Sequence, residues 1–472
     1  MESRDLIHLD GAWAAPHGTE RMQLVDPRTG EAFAEVRLAD ATDVDRAVAA
    51  AHAVFDDRPA WPLPERLAAL RALHDALAAR TDEIAATISA EMGAPDAFSR
   101  QVQVGMPLAT LATTADVLEG YRFDEPLGDS TLTREPAGVV AAITPWNFPL
   151  HQALAKVAAA IAAGCPVVLK PAETTPLTAY HLVEAAREAG FPAGWLQLLP
   201  GRGDVVGAAL AAHPGVDVVS FTGSTAVGRS IAAAAAATVK RVALELGGKS
   251  PSVLLDDLDD DAFAAAVRTT VGFALMNAGQ TCAAWTRLVV PAARYAEAVA
   301  LAAEAAAAQV PGRDLGPLAS AAQWERVTGL LATAEPEGAV VEHGDAAPPP
   351  PARGFHLAPV ILGRVTPQMR VGREEIFGPV LAVQTHTGDD DAVRIANATD
   401  YGLSAGVFGR DEARAVSVAR RIRAGTVHVN GLNTNRLAPF GGYKQSGLGR
   451  EYGRFGIEEF LEIKSIQPPP RG

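Results

Sequence analysis

The stretch Gly138–Lys170, GVVAAITPWNFPLHQALAKVAAAIAAGCPVVLK, decides how the chain folds. Gly138–Pro145 is a short β-branched run that ends in a turn. Leu150–Ala163 then carries helical spacing, and Cys165–Lys170, CPVVLK, reads as a second apolar strand. The alternation continues beyond it. Helices are expected over Pro176–Ala189, Val205–Ala212 and Thr225–Ala237, between strands over Trp195–Leu199, Val216–Phe221 and Lys240–Leu244. Strands separated by helices in this way predict an α/β fold with a parallel, doubly wound sheet. Such sheets take ligands at the carboxyl ends of their strands, which points to the loops after Ile143, Leu169 and Phe221.

Upstream, residues 5–40 read as short hairpins with turn signals at Asp26-Pro27 and Thr29-Gly30. Asp43 is placed to cap a helix bearing Val44, Ala47, Val48 and Ala51, and Arg66–Arg80 and Asp82–Met92 read as two further amphipathic helices. Tyr121–Thr133 is polar and reads as an extended arm. Downstream the alternation is less regular. Helices are expected near Asp261–Ala278 and Ala293–Ala308, and strands at Leu288–Val290, Val380–Thr385, Ala405–Phe408 and Thr426–Val429. Pro348–Pro351 is expected to be a surface loop. The last stretch, Ile457–Ile466, reads as an extended strand that must pair with something, a partner subunit being one choice.

Composition removes several classes of function. The net charge of −14, from 41 Lys+Arg against 55 Asp+Glu, argues against a nucleic-acid binder. Two cysteines cannot build a disulfide framework, so a reducing, cytoplasmic compartment is expected. The start, MESRDLIHLDG, lacks the basic and apolar regions of a signal peptide, and no apolar run reaches the ~18 residues of a membrane span.

One of the two cysteines, Cys282, lies in Asn277–Ala284, NAGQTCAA, among small and polar residues that leave room for a ligand. A lone cysteine is more often a small buried hydrophobe, but this turn-like setting suits a nucleophile. Glu245–Pro251, ELGGKSP, places a carboxylate before two glycines, where it can serve as a general base or as a satisfied turn carboxylate. Ile143–Pro149, ITPWNFP, places Asn147 where its amide N–H can stabilise an oxyanion. Lys170 and Glu173 of KPAE can bond ribose hydroxyls or form a solvated charge pair. Phe221–Gly228 ends a strand in Thr-Gly-Ser-Thr and opens a helix, which suits a pyrophosphate or an ordinary capped helix. Two glycine patterns are weak. GSTAVGRS has Arg229 where a phosphate-binding P-loop needs lysine, and Gly201–Gly207, GRGDVVG, is out of step with GxGxxG.

Taken in order, ITPWNFP, KPAE, FTGST, ELGGKSP, NAGQTC, EEIFGPV and PFGGYKQSG resemble the NAD(P)-dependent aldehyde dehydrogenase superfamily, from the N-terminal hairpin to the C-terminal strand. The resemblance implies two doubly wound Rossmann-like domains and a small β oligomerisation element. Residues 1–117 and 137–247 would bind NAD, 248–454 would be catalytic, and 118–136 with 455–472 would form the arm and terminal strand of a homodimer or homotetramer. It implies Cys282 as nucleophile, Glu245 as general base and Asn147 as oxyanion donor. The cofactor seat would be Ile143, Thr144, Pro145, Trp146, Lys170, Glu173, Gly223, Ser224, Glu375 and Phe377. No metal is implied. Glu173 would repel a 2′-phosphate, which favours NAD over NADP. The implied reaction takes a small aldehyde through a thiohemiacetal and a thioester to the acid, with water activated by Glu245. Relatives that acylate coenzyme A tend to lack this base. A coenzyme A-acylating enzyme, a cofactor-free thiol esterase and a non-catalytic homologue are the rival readings. Substrate-lining loops are expected near Met106–Thr113 and Gly431–Leu437.

Overall fold

A computed structural model describes residues 2–56 and 61–469. Residues 1, 57–60 and 470–472, which fall inside the expected domain ranges, lie outside the described residues.

The expected alternation forms an eight-stranded sheet. Across it run Gly447–Leu448, Arg241–Glu245, Val218–Thr222, Val140–Ile143, Val167–Lys170, Leu196–Leu198, Ile7–Leu9 and Ala12–Ala14. The five strands from Arg241–Glu245 to Leu196–Leu198 are parallel, and the edges are antiparallel. Val140–Ile143 and Val167–Lys170 are buried at every residue, which explains why they read as continuous apolar runs rather than alternating ones. The Pro149–Ala163 helix is likewise buried along its whole length. A helix apolar on all sides must be enclosed, and its alanines allow that at little entropic cost. Lys156 is its one charged residue.

A second sheet runs Val340–His343, Val360–Gly363, Val380–His386, Arg287–Pro291, Pro251–Leu254, Ser404–Phe408 and Thr426–Val429. All its neighbours are parallel except the first pair. The fold is therefore two doubly wound sheets, as expected. Asp124–Leu127, Ser130–Pro136 and Leu461–Ile466 form the small antiparallel sheet. A further small sheet joins Glu2–Arg4, Glu31–Arg37 and Arg21–Asp26; its hairpin, turning through Asp26–Gly30, is one of those expected over residues 5–40, and only the parallel strand Glu2–Arg4 has no counterpart in the sequence reading.

The link from the first sheet to the second sets up the site. Glu245 ends a first-sheet strand, and Pro251 begins a second-sheet strand six residues later. Cys282 lies just before Arg287–Pro291. The carboxyl edge of one sheet thus meets the amino edge of the other.

Four expectations are corrected. The Ala41–Asp56 helix is capped by Asp40, whose Oδ1 accepts from the N–H of Thr42 (2.9 Å) and of Asp43 (3.2 Å). Asp43 instead returns a bond to the Asp40 N–H (3.2 Å), the reciprocal arrangement of a capping box. The helix near 261–278 stops at Leu275, because Asn277 and Ala278 turn left-handed. The last stretch is not all extended: Gly453–Glu458 is helical and the strand begins at Leu461. That strand pairs with Ser130–Pro136 of its own chain, with Leu461 opposite Pro136.

Candidate active site

The position of Cys282, the expected nucleophile, is built by the turn before it. Asn277 (φ 54°), Ala278 (φ 55°) and Gly279 (φ 74°) are successive left-handed residues. Two of these are costly for side chains with a Cβ, so surrounding contacts must hold the turn. Gln280 supplies three of them: Nε2 donates to the carbonyls of Asn277 (3.1 Å) and Pro317 (3.2 Å), and Oε1 accepts from the Ala319 N–H (2.9 Å). The Thr281 hydroxyl donates to the Met276 carbonyl (3.1 Å). At Gly279 a Cβ would lie 1.9 Å from the Gly378 carbonyl oxygen, so only glycine fits. Cys282 emerges half-buried. Its thiol is pushed up to about 12, by burial first and then by the Glu245 and Glu375 carboxylates, against the Ala283 N–H.

Asn147 is tied into the same turn. Its Nδ2 donates to the Gln280 carbonyl (3.0 Å), while its own carbonyl accepts from Asn277 Nδ2 (2.9 Å) and Gln103 Nε2 (2.9 Å). One amide hydrogen is thus committed, which leaves the second for a ligand. Glu245 is buried, and neither carboxylate oxygen has a partner. Burial, followed by the nearby Glu451, raises its pKa well above the ordinary range, with Lys156 and Arg450 opposing. Glu375 Oε1 accepts from the Gly248 N–H (2.9 Å), and a Cβ at Gly248 would lie 2.4 Å from the Cys282 carbonyl oxygen. The paired glycines of ELGGK thus let the backbone pass between Glu375 and Cys282.

The remaining expected residues line the carboxyl edge of the first sheet. Ile143 ends its strand and leads into Thr144, Pro145 and Trp146, and the Thr144 N–H bonds the Lys170 carbonyl (3.1 Å). The buried Lys170 ammonium lies 3.5 Å from the Glu173 carboxylate, which also accepts from the Gly203 N–H. GRGDVVG is therefore a helical turn that steadies Glu173, not a plain loop. Gly223 donates to the Glu245 carbonyl (3.0 Å), and Ser224 caps the Thr225–Ala235 helix through the Val227 N–H (3.4 Å). The Trp146 and Phe377 rings meet edge-on, with centroids 5.5 Å apart. The buried Thr222 hydroxyl at this edge has no partner. An orphaned hydroxyl, a buried ammonium and a carboxylate together fit the hydroxyls of NAD, and the carboxylate disfavours a 2′-phosphate.

Several residues of the site escaped the sequence reading. The Lys156 ammonium bonds Glu451 at 2.6 Å beside Glu245. Its signal was a single charged residue in a helix that is otherwise apolar apart from His151 and Gln152. His151 and Tyr452 pair at 2.6 Å on the same side. A cavity of about 400 Å³ adjoins the turn, lined by Met92, Phe98, Phe273, Met276, Asn277 and Leu432. Leu432 comes from an expected lining loop, whereas Met106–Thr113 contributes nothing to this cavity. Among the described residues, no cluster of three or more His, Cys, Asp or Glu could hold a metal, and no helix is long and apolar enough to cross a membrane.

Residues 13–466 match the aldehyde dehydrogenase family. The chain belongs to that family. It is 43% identical over 473 residues to a 3-succinoylsemialdehyde-pyridine dehydrogenase from a Pseudomonas species, covering 98% of each chain. Aldehyde dehydrogenase C from Pseudomonas syringae, solved as a cysteine-to-alanine variant with NAD+ and octanal, superposes with a TM-score of 0.96 at 45% identity, over 99% of this chain and 98% of that one. The NAD+ complex of a Mycobacterium tuberculosis aldehyde dehydrogenase superposes with a TM-score of 0.95 at 38% identity, over 99% of both chains. This enzyme is accordingly an oxidoreductase acting on aldehydes.

Proposed function

We propose that the enzyme oxidises an aldehyde to its carboxylic acid with NAD as cofactor, using Cys282, Glu245 and Asn147. The observation that carries this is the convergence of three separate segments on one turn: Asn147 bonds the Gln280 carbonyl, two residues before Cys282, and Glu245 bears on the Cys282 thiol. The NAD+ complexes of two neighbours support the cofactor.

The steps follow from the groups present. The Cys282 sulfur, once deprotonated, adds to the aldehyde carbon. The new oxyanion is held by the free hydrogen of the Asn147 amide. NAD, when bound, supplies a positive ring near the thiol and accepts the hydride. The resulting thioester on Cys282 is attacked by water, and Glu245, once ionised, takes that water's proton. The acid leaves and the thiol is restored. Glu245 favours this hydrolysis over transfer to coenzyme A.

The first sheet with its helices serves as the NAD-binding unit and the second as the catalytic unit. Leu127, Ile463 and Ile466 are 60%, 67% and 52% exposed on the small antiparallel sheet, which supports burial of that sheet in a homodimer or homotetramer. Both cysteines are free, which suits a reducing cytoplasm. The relative named for 3-succinoylsemialdehyde-pyridine and the neighbour solved with octanal support an aldehyde of comparable size.

The test is absorbance at the reduced-nicotinamide band, with NAD and a panel of aldehydes, without coenzyme A, beside Cys282→Ala. Signal in the wild type alone is the expected result. A requirement for coenzyme A would remove Glu245 from its role, and a requirement for NADP would remove Glu173 from its own.

A further inference from the structure

Gln103 is fully buried in the π-helical segment Ser99–Val104. Turns this wide are uncommon, and they gather at functional sites. Phe98, just before the segment, lines the cavity beside the left-handed turn and meets the Phe148 ring, with centroids 6.5 Å apart. Among the described residues, the Gln103 side chain makes one hydrogen bond: Nε2 donates to the Asn147 carbonyl (2.9 Å). Its Oε1 is buried and has no partner. Exchanging the two amide atoms would set one oxygen against another, so this contact decides which atom faces Asn147.

A buried amide with its oxygen unused is a poor choice for stability. An apolar side chain of similar length would remove the orphaned oxygen, and the Asn147 carbonyl would keep its bond from Asn277 Nδ2 (2.9 Å). What Gln103 adds is a second restraint on that carbonyl, from a separate element. Asn277 holds it from the turn before Cys282, and Gln103 holds it from the π-helical segment. With two donors on its oxygen, the peptide plane at Asn147 is fixed, and so is the side chain that grows from it. Asn147 Nδ2 already gives one hydrogen to the Gln280 carbonyl (3.0 Å), so the backbone position sets where the other hydrogen points. A displacement of about 1 Å at such a group can cost about 10² in rate.

We propose that Gln103 is a positioning residue for the reaction: through the Asn147 carbonyl it keeps the oxyanion-donating amide aimed at the substrate. The inference rests on aldehyde oxidation at Cys282, with Asn147 as oxyanion donor, and deepens that reading by assigning the side chain that orients the donor.

The experiment follows the first turnover of reduced nicotinamide by stopped flow, with NAD and octanal, beside the melting temperature of each variant. Gln103→Met should slow the first turnover about tenfold, leave the KM for NAD unchanged and melt no lower than the wild type. Gln103→His, whose Nε2–H reaches about as far as the lost amide, should recover part of the rate. On an Asn147→Ala background, Gln103→Met should change the rate by less than about twofold, because it acts through the residue already removed. A first turnover in Gln103→Met equal to that of the wild type would overturn the proposal. So would a tenfold loss that persists beside Asn147→Ala, or a melting temperature that falls together with the rate, which would make Gln103 a structural residue only. Absence of reduced nicotinamide in the wild type, with octanal and with every other aldehyde tried, would instead overturn the aldehyde-oxidising reading itself.

Discussion

A thiol held up to about 12 is almost wholly protonated at neutral pH, so the resting Cys282 is a poor nucleophile. Alkylation of the cofactor-free enzyme by iodoacetamide should therefore accelerate about tenfold per pH unit from pH 6 to 10. A plateau below pH 9 would show that local donors already stabilise the thiolate. Asn147→Ala removes one oxyanion donor and should lower kcat by about 10²–10³, with intact folding checked by circular dichroism. Glu245 makes the converse prediction for stability. Its folded-state pKa is raised above the ordinary 4.5, so its contribution is fully present below about pH 4.5 and is lost as pH rises toward the folded value. A tenfold change in proton affinity is about 1.4 kcal/mol. Glu245→Gln should thus melt higher than the wild type at pH 8, level with it at pH 4, and be inactive. Equal melting at both pH values would mean that the carboxylate is solvated after all.

At the scale of the element, the decisive piece is the left-handed turn Asn277–Gly279. Gly279→Ala would place a Cβ against the Gly378 carbonyl and strain φ as well, so a loss of about 2 kcal/mol or more is expected, together with activity, read by calorimetry and by turnover. This scale also shows what could be read in advance. The central strands of the first sheet were legible because burial on both faces makes them unbroken apolar runs. Pro251–Leu254 was not, since it opens on a proline, which cannot donate to the ladder and reads as a break. Cys282, Glu245 and Asn147 stood out because each sits among glycines, prolines or polar residues instead of in a periodic run. Lys156 and Glu451 are 295 residues apart, and no local pattern couples them. The Asp40 and Asp43 roles were exchanged because both residues suit a cap, and only the backbone decides which one precedes the first turn.

Across the whole molecule, two large sheets meet edge to edge and two small sheets stand outside them. Leu461–Ile466 is an edge strand of the one that also holds Ser130–Pro136. Replacing both Ile463 and Ile466 by glutamate should lower the mass measured by light scattering if this sheet is the subunit interface, while an unchanged mass would place the interface elsewhere. The two large sheets are not separable beads on a chain. Gly447–Leu448 crosses back to the first sheet and pairs with Leu244 and Glu245. The Leu246 N–H bonds the Ser446 carbonyl (2.9 Å), and the Ser446 hydroxyl donates to the Gly247 carbonyl (2.7 Å). During synthesis, the strand bearing Glu245 therefore waits for a segment made some 200 residues later, whose hydroxyl contact spans 199 positions. A chain ending before residue 446 would lack the strand that pairs with Glu245 even though Cys282 has already been made.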